Sequence, residues 1–135
     1  MIELTLAMAE RAVRAAQEKA KALGTPMTVT VVDEAGRLVL SARGDGTSFL
    51  SPETSRAKAT AAANFRASTA ELAERAKKGS VFFATVAGAL PGLVLPSDGG
   101  TPIMVKGKVI GGIGCGGGTG EQDQECANAG AATTS

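Results

Sequence analysis

Histidine is absent from this chain of 135 residues, and so are tryptophan and tyrosine. The lack of histidine removes the most frequent general base and the most frequent metal ligand of proteins. The four aromatic residues that remain are all phenylalanine, too few for a platform on which nucleobases would stack. These absences exclude histidine-based catalysis and disfavour a surface that binds nucleic acid.

Cysteine is almost as scarce. Cys115 and Cys126 are the two cysteines, and they form neither a disulfide framework nor a zinc-binding spacing. The net charge of +1 favours neither nucleic acid nor an anionic membrane as a partner. No apolar run is long enough to span a bilayer, and the start of the chain lacks the pattern of a signal peptide. We therefore expect a cytoplasmic protein.

The length predicts one domain over residues 1–135 with a single core. Hydrophobic residues recur at helical spacing near the start, and Gly24 is expected to end that helix. Ser51 is the expected N-cap of an alanine-rich helix, and Ser68 is the first residue of a capping-box spacing. The predicted helices cover residues 4–23, 52–65, 68 to about 79, and 121–132.

Two hairpins are predicted from alternating apolar residues separated by turn residues. The first joins residues 27–33 to 37–43, and the second joins 103–105 to 109–113. Residues 81–90 are apolar and fit either a strand or a helix, and residues 91–101 are expected to form a loop. The pattern predicts an α+β fold, with a central antiparallel sheet of about five strands flanked by helices.

The glycine-rich run from Gly111 to Gly120 matches the spacing of a dinucleotide-binding loop. We reject that function because no strand with a ribose-binding carboxylate follows, and because Glu121 and Asp123 would repel a phosphate. Two interpretations remain open. The run either provides close backbone packing and a turn, or forms a pocket wall at Gly114, Gly116, Gly117 and Gly118.

Several polar residues are candidates for a site, each with an ordinary alternative. Arg43 and Asp45 would hold a polar substrate, or form a surface ion pair in a turn. Cys115 would be a reactive thiol, or a small buried residue. Lys58 interrupts the alanine-rich helix and would bind a ligand, or belong to a solvated face.

Sequence blocks spread over nearly the whole chain resemble those of the GlcG/HbpS family. They are Val31-Val32-Asp33-x-x-Gly36-x-Leu38-Val39, Arg43-x-Asp45, Ser51-Pro52, Lys58-Ala59-x-x-Ala62, Gly99-Gly100-Thr101-Pro102-Ile103, Gly107-x-Val109-Ile110-Gly111-Gly112-Ile113-Gly114, Gly118-x-x-x-Gln122-Asp123 and Ala127-x-Ala129-Gly130.

This resemblance implies a mixed α/β subunit around an antiparallel sheet, assembled into homo-oligomers that are often octamers. It also implies binding of a tetrapyrrole, either haem or a corrinoid. Because histidine and tyrosine are missing here, a haem iron would have to use cysteine, methionine, lysine or threonine.

Three functions follow as hypotheses. The first is a tetrapyrrole-binding module whose pocket contains the glycine run and Lys58. The second is a small catabolic lyase, isomerase or hydrolase for an oxygenated acid, in which Arg43 holds a carboxylate, Asp45 or Glu121 moves a proton, and Cys115 belongs to the site. The third is an oligomeric scaffold without a ligand.

Overall fold

Helices and strands alternate along residues 3–134, the part of the chain that the computed structural model describes. The order is α1 (Leu6–Leu23), β1 (Thr28–Asp33), β2 (Leu38–Ala42), α2 (Ser51–Phe65), α3 (Thr69–Lys77), α4 (Val81–Ala89), β3 (Gly100–Val105), β4 (Lys108–Gly116) and α5 (Gly120–Ala131).

The strands form one antiparallel sheet in the order β2-β1-β4-β3. Both predicted hairpins are confirmed, and the pairing of β1 with β4 joins them, with Thr30 opposite Gly114. The predicted α+β fold with a central antiparallel sheet is confirmed, and the sheet has four strands in the described residues instead of about five. The ambiguous segment is the helix α4, whose first turn is capped because the Ser80 hydroxyl accepts the Phe83 N–H.

Two helix ends show how local chemistry sets the boundaries. Gly24 ends α1 in the left-handed conformation, as predicted. Ser51 is not the N-cap of α2, because Leu50 occupies that position without a side-chain bond. The Ser51 hydroxyl donates instead to the Ser48 carbonyl oxygen. None of the helices between residues 3 and 134 combines the length and apolarity needed to cross a membrane.

One face of the sheet carries an aliphatic core covered by α1 and α5. Val29 and Val31 of β1 point to this side together with Ile113 of β4, and all three are fully buried. Small residues let the two helices approach each other and the sheet, among them Ala12 and Gly130. This face is a conventional hydrophobic core made by interlocking side chains.

The other face of the sheet carries α2, and here backbone meets backbone. A Cβ atom placed on Gly112 would overlap with the Ala59 carbonyl oxygen of α2, and one placed on Gly114 would overlap with the Ser55 carbonyl oxygen. Glycine is therefore required at both positions so that α2 can lie directly on β4. For Gly112 and Gly114, the glycine run therefore serves close backbone packing.

Hydroxyl groups hold α2 against the neighbouring strand β1. Thr30 Oγ1 lies 2.7 Å from Ser55 Oγ, and Thr28 Oγ1 lies 2.8 Å from Ser51 Oγ. All four side chains are buried, so their hydroxyls must find partners within the protein. The contact between α2 and the sheet thus combines glycine backbone on β4 with hydroxyl pairs on β1.

Candidate functional site

Lys58 lies inside the protein, with 6% of its surface exposed, at the boundary between α2, β4 and α5. Its Nζ donates to Asp123 Oδ2 at 3.1 Å and to the Cys115 carbonyl oxygen at 3.0 Å. The other carboxylate oxygen of Asp123 accepts the Gly118 N–H at 2.9 Å. The alternative of a solvated position for Lys58 is therefore wrong. The residue forms a buried ion pair that connects the α2 layer to α5.

The beginning of β3 passes beside this ion pair. A Cβ on Gly99 would come within 3.0 Å of Lys58 Nζ and within 2.9 Å of the Asp123 Cβ, so only glycine fits without displacing the pair. The Gly99 N–H donates to Gln124 Oε1 of α5 at 2.8 Å. The Gly100 N–H donates to Thr69 Oγ1 of α3 at 2.7 Å. Three helices thus fix this edge of the sheet.

Burial raises the pKa of the Asp123 carboxyl above its ordinary value, and the nearby Asp98 carboxylate adds to this effect. The Lys58 ammonium and the Gly118 N–H act in the opposite direction and stabilise the charged form. A buried ion pair of this kind depends on both partners, since the loss of one leaves a desolvated charge.

The two thiols lie in the aliphatic core on the α1–α5 side of the sheet. Burial raises the pKa of the Cys115 thiol well above its ordinary value, and it raises the pKa of Cys126 to about 11. Both groups are therefore protonated thiols near neutral pH. The placement of Cys115 agrees with the alternative of a small buried residue.

The remaining catalytic candidates occupy separate surfaces. The Arg43 guanidinium donates to the Thr47 carbonyl oxygen at 3.2 Å, and Asp45 is exposed in the same loop. Glu121 is exposed in the first turn of α5. Among the described residues, no hydrogen bond or ion pair joins any two of Arg43, Asp45, Cys115 and Glu121. The enzymatic hypothesis stays a prediction.

The four glycines proposed as a pocket wall have different surroundings. Gly114 is covered by α2, and the Gly118 N–H is bound to Asp123. A Cβ on Gly117 would meet the Pro26 carbonyl oxygen at 2.7 Å. A Cβ on Gly116 would be 3.2 Å from Thr54 Oγ1. A ligand-binding role for these glycines and for Lys58 stays a prediction. Thr54, the residue that a Cβ on Gly116 would meet, also lines an open groove.

That groove, which we call the α2–α4 groove, lies between the first turns of α2 and the end of α4, and it has a volume of about 290 Å³. Most of its wall is apolar, and Thr54 and Glu53 supply its polar atoms. It is lined by Glu53, Thr54, Ala57, Ala87, Pro91, Gly92, Val94 and Leu95. The sequence does not predict this groove, because residues 81–90 fit either a strand or a helix and residues 91–101 are predicted only as a loop.

Comparison with known proteins gives a consistent result over the whole chain. Residues 4–132 match the family described as haem degrading protein HbpS-like. Protein GlcG of Escherichia coli is 33% identical over 111 residues, which cover 82% of this chain and 79% of GlcG. The corrinoid adenosyltransferase PduO of Salmonella typhimurium is 32% identical over 114 residues, which cover 84% of this chain and 34% of PduO. The chain therefore spans about a third of PduO.

Solved structures agree with these sequence matches. A double mutant of Streptomyces reticuli HbpS superimposes with a TM-score of 0.88 at 38% identity, covering 100% of this chain and 89% of that one. A structure described as a PduOC:Heme complex superimposes with a TM-score of 0.88 at 30% identity, covering 97% of this chain and 94% of that one. Both similarities extend across all the helices and strands described above.

Proposed function

The chain belongs to the HbpS-like family of haem-degrading proteins, and on this basis we propose that it binds a tetrapyrrole, haem in the first place, in the α2–α4 groove. The observation that carries the proposal is the groove itself, which has mostly apolar walls and is open to solvent. A related structure described as a haem complex supports the class of ligand.

The residues of the groove suit the flat apolar face of a porphyrin. Ala57 and Ala87 contribute walls with little side-chain bulk, and Pro91 and Val94 add apolar surface. Small ligands are generally held by such apolar walls together with a few polar groups that orient them. The chain therefore offers an apolar surface to one face of the ring.

The groove offers a haem iron only side-chain oxygen ligands. The Glu53 carboxylate and the Thr54 hydroxyl line it, and the two thiols lie in the core on the other side of the sheet. No three Cys, Asp or Glu side chains in residues 3–134 converge as a metal site would require. Haem, when bound, supplies a redox-active iron, and the groove residues hold and shield the ring.

A corrinoid is the second ligand of the same class. The similarity to PduO motivates it, although adenosyl transfer is an activity of that longer protein. Haem and corrinoids share a large macrocycle with an apolar face, so the same groove would bind either one. Parallel titrations with the two compounds separate them.

The test is a titration of the purified protein with hemin, followed by the Soret band, and a parallel titration with cobalamin. We expect saturable binding of hemin. The substitution Ala87→Asp places a carboxylate in the apolar wall and should weaken hemin binding by about tenfold or more. Ala70→Asp is the matched control, because Ala70 is also a half-buried helical alanine but lies outside the groove.

The outcomes separate clearly. Saturable binding that Ala87→Asp weakens and Ala70→Asp leaves unchanged supports the proposed groove. Saturation by cobalamin alone replaces haem with a corrinoid. A signal that never saturates with either compound, or equal binding by both variants, overturns the proposal.

A further inference from the structure

A second cleft lies on the α2 side of the sheet, beside the edge strand β2. The helix α2 packs on the two central strands, through Gly114 of β4 and Thr30 of β1. Leu38 and Ser41 of β2 are therefore left exposed next to the helix. We call this space the β2–α2 cleft. It has a volume of about 240 Å³ and is lined by Thr30, Leu38, Ser41, Pro52, Glu53 and Arg56.

Three hydroxyl groups form a chain that ends in this cleft. Thr30 Oγ1 lies 2.7 Å from Ser55 Oγ and 2.8 Å from Ser41 Oγ. The Ser55 hydroxyl donates its hydrogen to the Pro52 carbonyl oxygen at 3.1 Å. Because each hydroxyl has a single hydrogen, Thr30 donates to Ser55, and Ser41 donates to Thr30. Ser41 Oγ is therefore left as a hydrogen-bond acceptor for a molecule in the cleft.

Two opposite charges lie on the helix wall of the cleft. Glu53 and Arg56 are three positions apart on α2, and both are exposed. Oppositely charged residues at this spacing can pair with each other. Within residues 3–134, however, no ion pair includes either of them. The cleft therefore presents a negative group and a positive group to the same space.

We propose that the β2–α2 cleft binds a small α-amino acid with an apolar side chain. The ammonium group of such a molecule needs acceptors, which the Ser41 hydroxyl and the Glu53 carboxylate supply. Its carboxylate needs donors, and the planar guanidinium of Arg56 matches a carboxylate with two parallel N–H groups. Leu38, which is 47% exposed, and Pro52 offer apolar surface to the side chain.

The size and the charges of the cleft favour this class of ligand over others. Pockets for drug-sized ligands occupy about 300–1,000 Å³, so a cleft of about 240 Å³ suits a smaller molecule. A simple carboxylate would face the like charge of Glu53, and a simple amine would face the like charge of Arg56. A zwitterion gives each of the two side chains an opposite charge.

The test is a calorimetric titration of the purified protein with L-leucine, in the absence of any tetrapyrrole. Two analogues of leucine each lack one charged group. Isocaproate has no ammonium group, and isoamylamine has no carboxylate. We expect saturable binding of L-leucine, and an affinity lower by about tenfold or more for each analogue, because each loses one charge-assisted contact.

Substitutions locate the binding. Arg56→Gln should weaken leucine binding by about tenfold or more, because an amide makes no charged contact with a carboxylate. Arg14→Gln is the matched control and should leave the affinity unchanged. Arg14 is also an exposed helical arginine, but its helix α1 covers the other face of the sheet. Ser41→Ala should weaken binding as well, since it removes the acceptor at the end of the hydroxyl chain. Circular dichroism checks that the variants are folded.

A leucine titration that never saturates overturns the proposal, and so does a folded Arg56→Gln variant with the affinity of the wild type. Equal affinity for leucine and either analogue also overturns it, because the cleft would then recognise only one of the two charges. Tetrapyrrole binding is tested separately. Arg56 is not among the residues that line the α2–α4 groove, so Arg56→Gln should bind hemin as the wild type does.

Discussion

The two faces of the sheet are buried in different ways. On the α1–α5 side, aliphatic side chains such as Val31 and Ile113 fill the space between strands and helices. On the α2 side, Gly112 and Gly114 bring strand and helix backbones together, and hydroxyl pairs and one ion pair provide the specific contacts. On the α1–α5 side, neighbouring side chains can repack after a substitution. On the α2 side the contact is between backbones, so an added side chain forces the strand and the helix apart.

The ion pair should give the largest effect on stability. Asp123→Ala leaves the Lys58 ammonium buried with the Cys115 carbonyl oxygen as its remaining partner, and we expect a loss of about 3–5 kcal/mol in the free energy of unfolding. Replacement of both residues, as in Lys58→Met with Asp123→Leu, should recover much of the loss. Urea denaturation of the three proteins measures both effects. A loss below about 1 kcal/mol for Asp123→Ala would show that the pair is solvated.

The same pair predicts a dependence on pH. In Lys58→Met the Asp123 carboxyl loses its cation, so its pKa in the folded state rises further above the ordinary value of 3.8. An acid with a raised folded pKa contributes stability below its unfolded pKa and loses it as the pH rises through the folded one. The cost of Lys58→Met should therefore shrink as the pH falls toward 3.8, whereas a constant cost would contradict this account.

The glycine contact comes next in size. Gly114→Ala introduces a Cβ that overlaps with the Ser55 carbonyl oxygen, and we expect a loss of about 3 kcal/mol because backbone must move. Gly116→Ala is the matched control on the same strand and the same face. Its Cβ would first meet the movable Thr54 hydroxyl at 3.2 Å, so it should cost about 1 kcal/mol or less. Equal effects in thermal unfolding would mean that α2 does not rest on the β4 backbone.

We expect the smallest loss of stability from a substitution in the aliphatic core on the α1–α5 side of the sheet. Cys115→Ala removes one buried sulfur atom from the core and should cost about 1 kcal/mol. Because burial keeps both thiols protonated, a disulfide reagent should react slowly with the native protein and rapidly after denaturation. Rapid modification of the native wild-type protein that is lost in Cys115→Ala would show that Cys115 reaches solvent and would support its catalytic candidacy.

Local patterns in the sequence predict most of the elements. The stripe of α1, the stop at Gly24 and both hairpins follow from residues within a few positions of one another. The end of β4 is harder to predict from the sequence. Glycine is a poor strand former, yet β4 continues through the glycine run to Gly116. Pairing with β1 and β3 on its two sides, together with the contact of α2, overrides that local preference.

The site depends on contacts that local patterns do not contain. Lys58 stands out in an alanine-rich helix, but its partner Asp123 lies 65 positions away. The α2–α4 groove arises because α4 folds back beside α2, and its apolar sequence fits either a strand or a helix. The family blocks include Lys58 and Asp123, and they identify the fold without saying that these two residues meet.

The contact of α2 with β4 also has a consequence for folding. The central strands β1 and β4 are distant in sequence, and the contacts of α2 with β4 close long loops, as between Lys58 and Cys115, which are 57 positions apart. Such non-local contacts slow folding, because loop entropy is lost before any of them forms. On the ribosome, β1 is synthesised before α2 but β4 only after it, so the part of α2 that contacts β4 is uncovered until β4 emerges. We therefore expect the close contact between α2 and β4 to form late in folding.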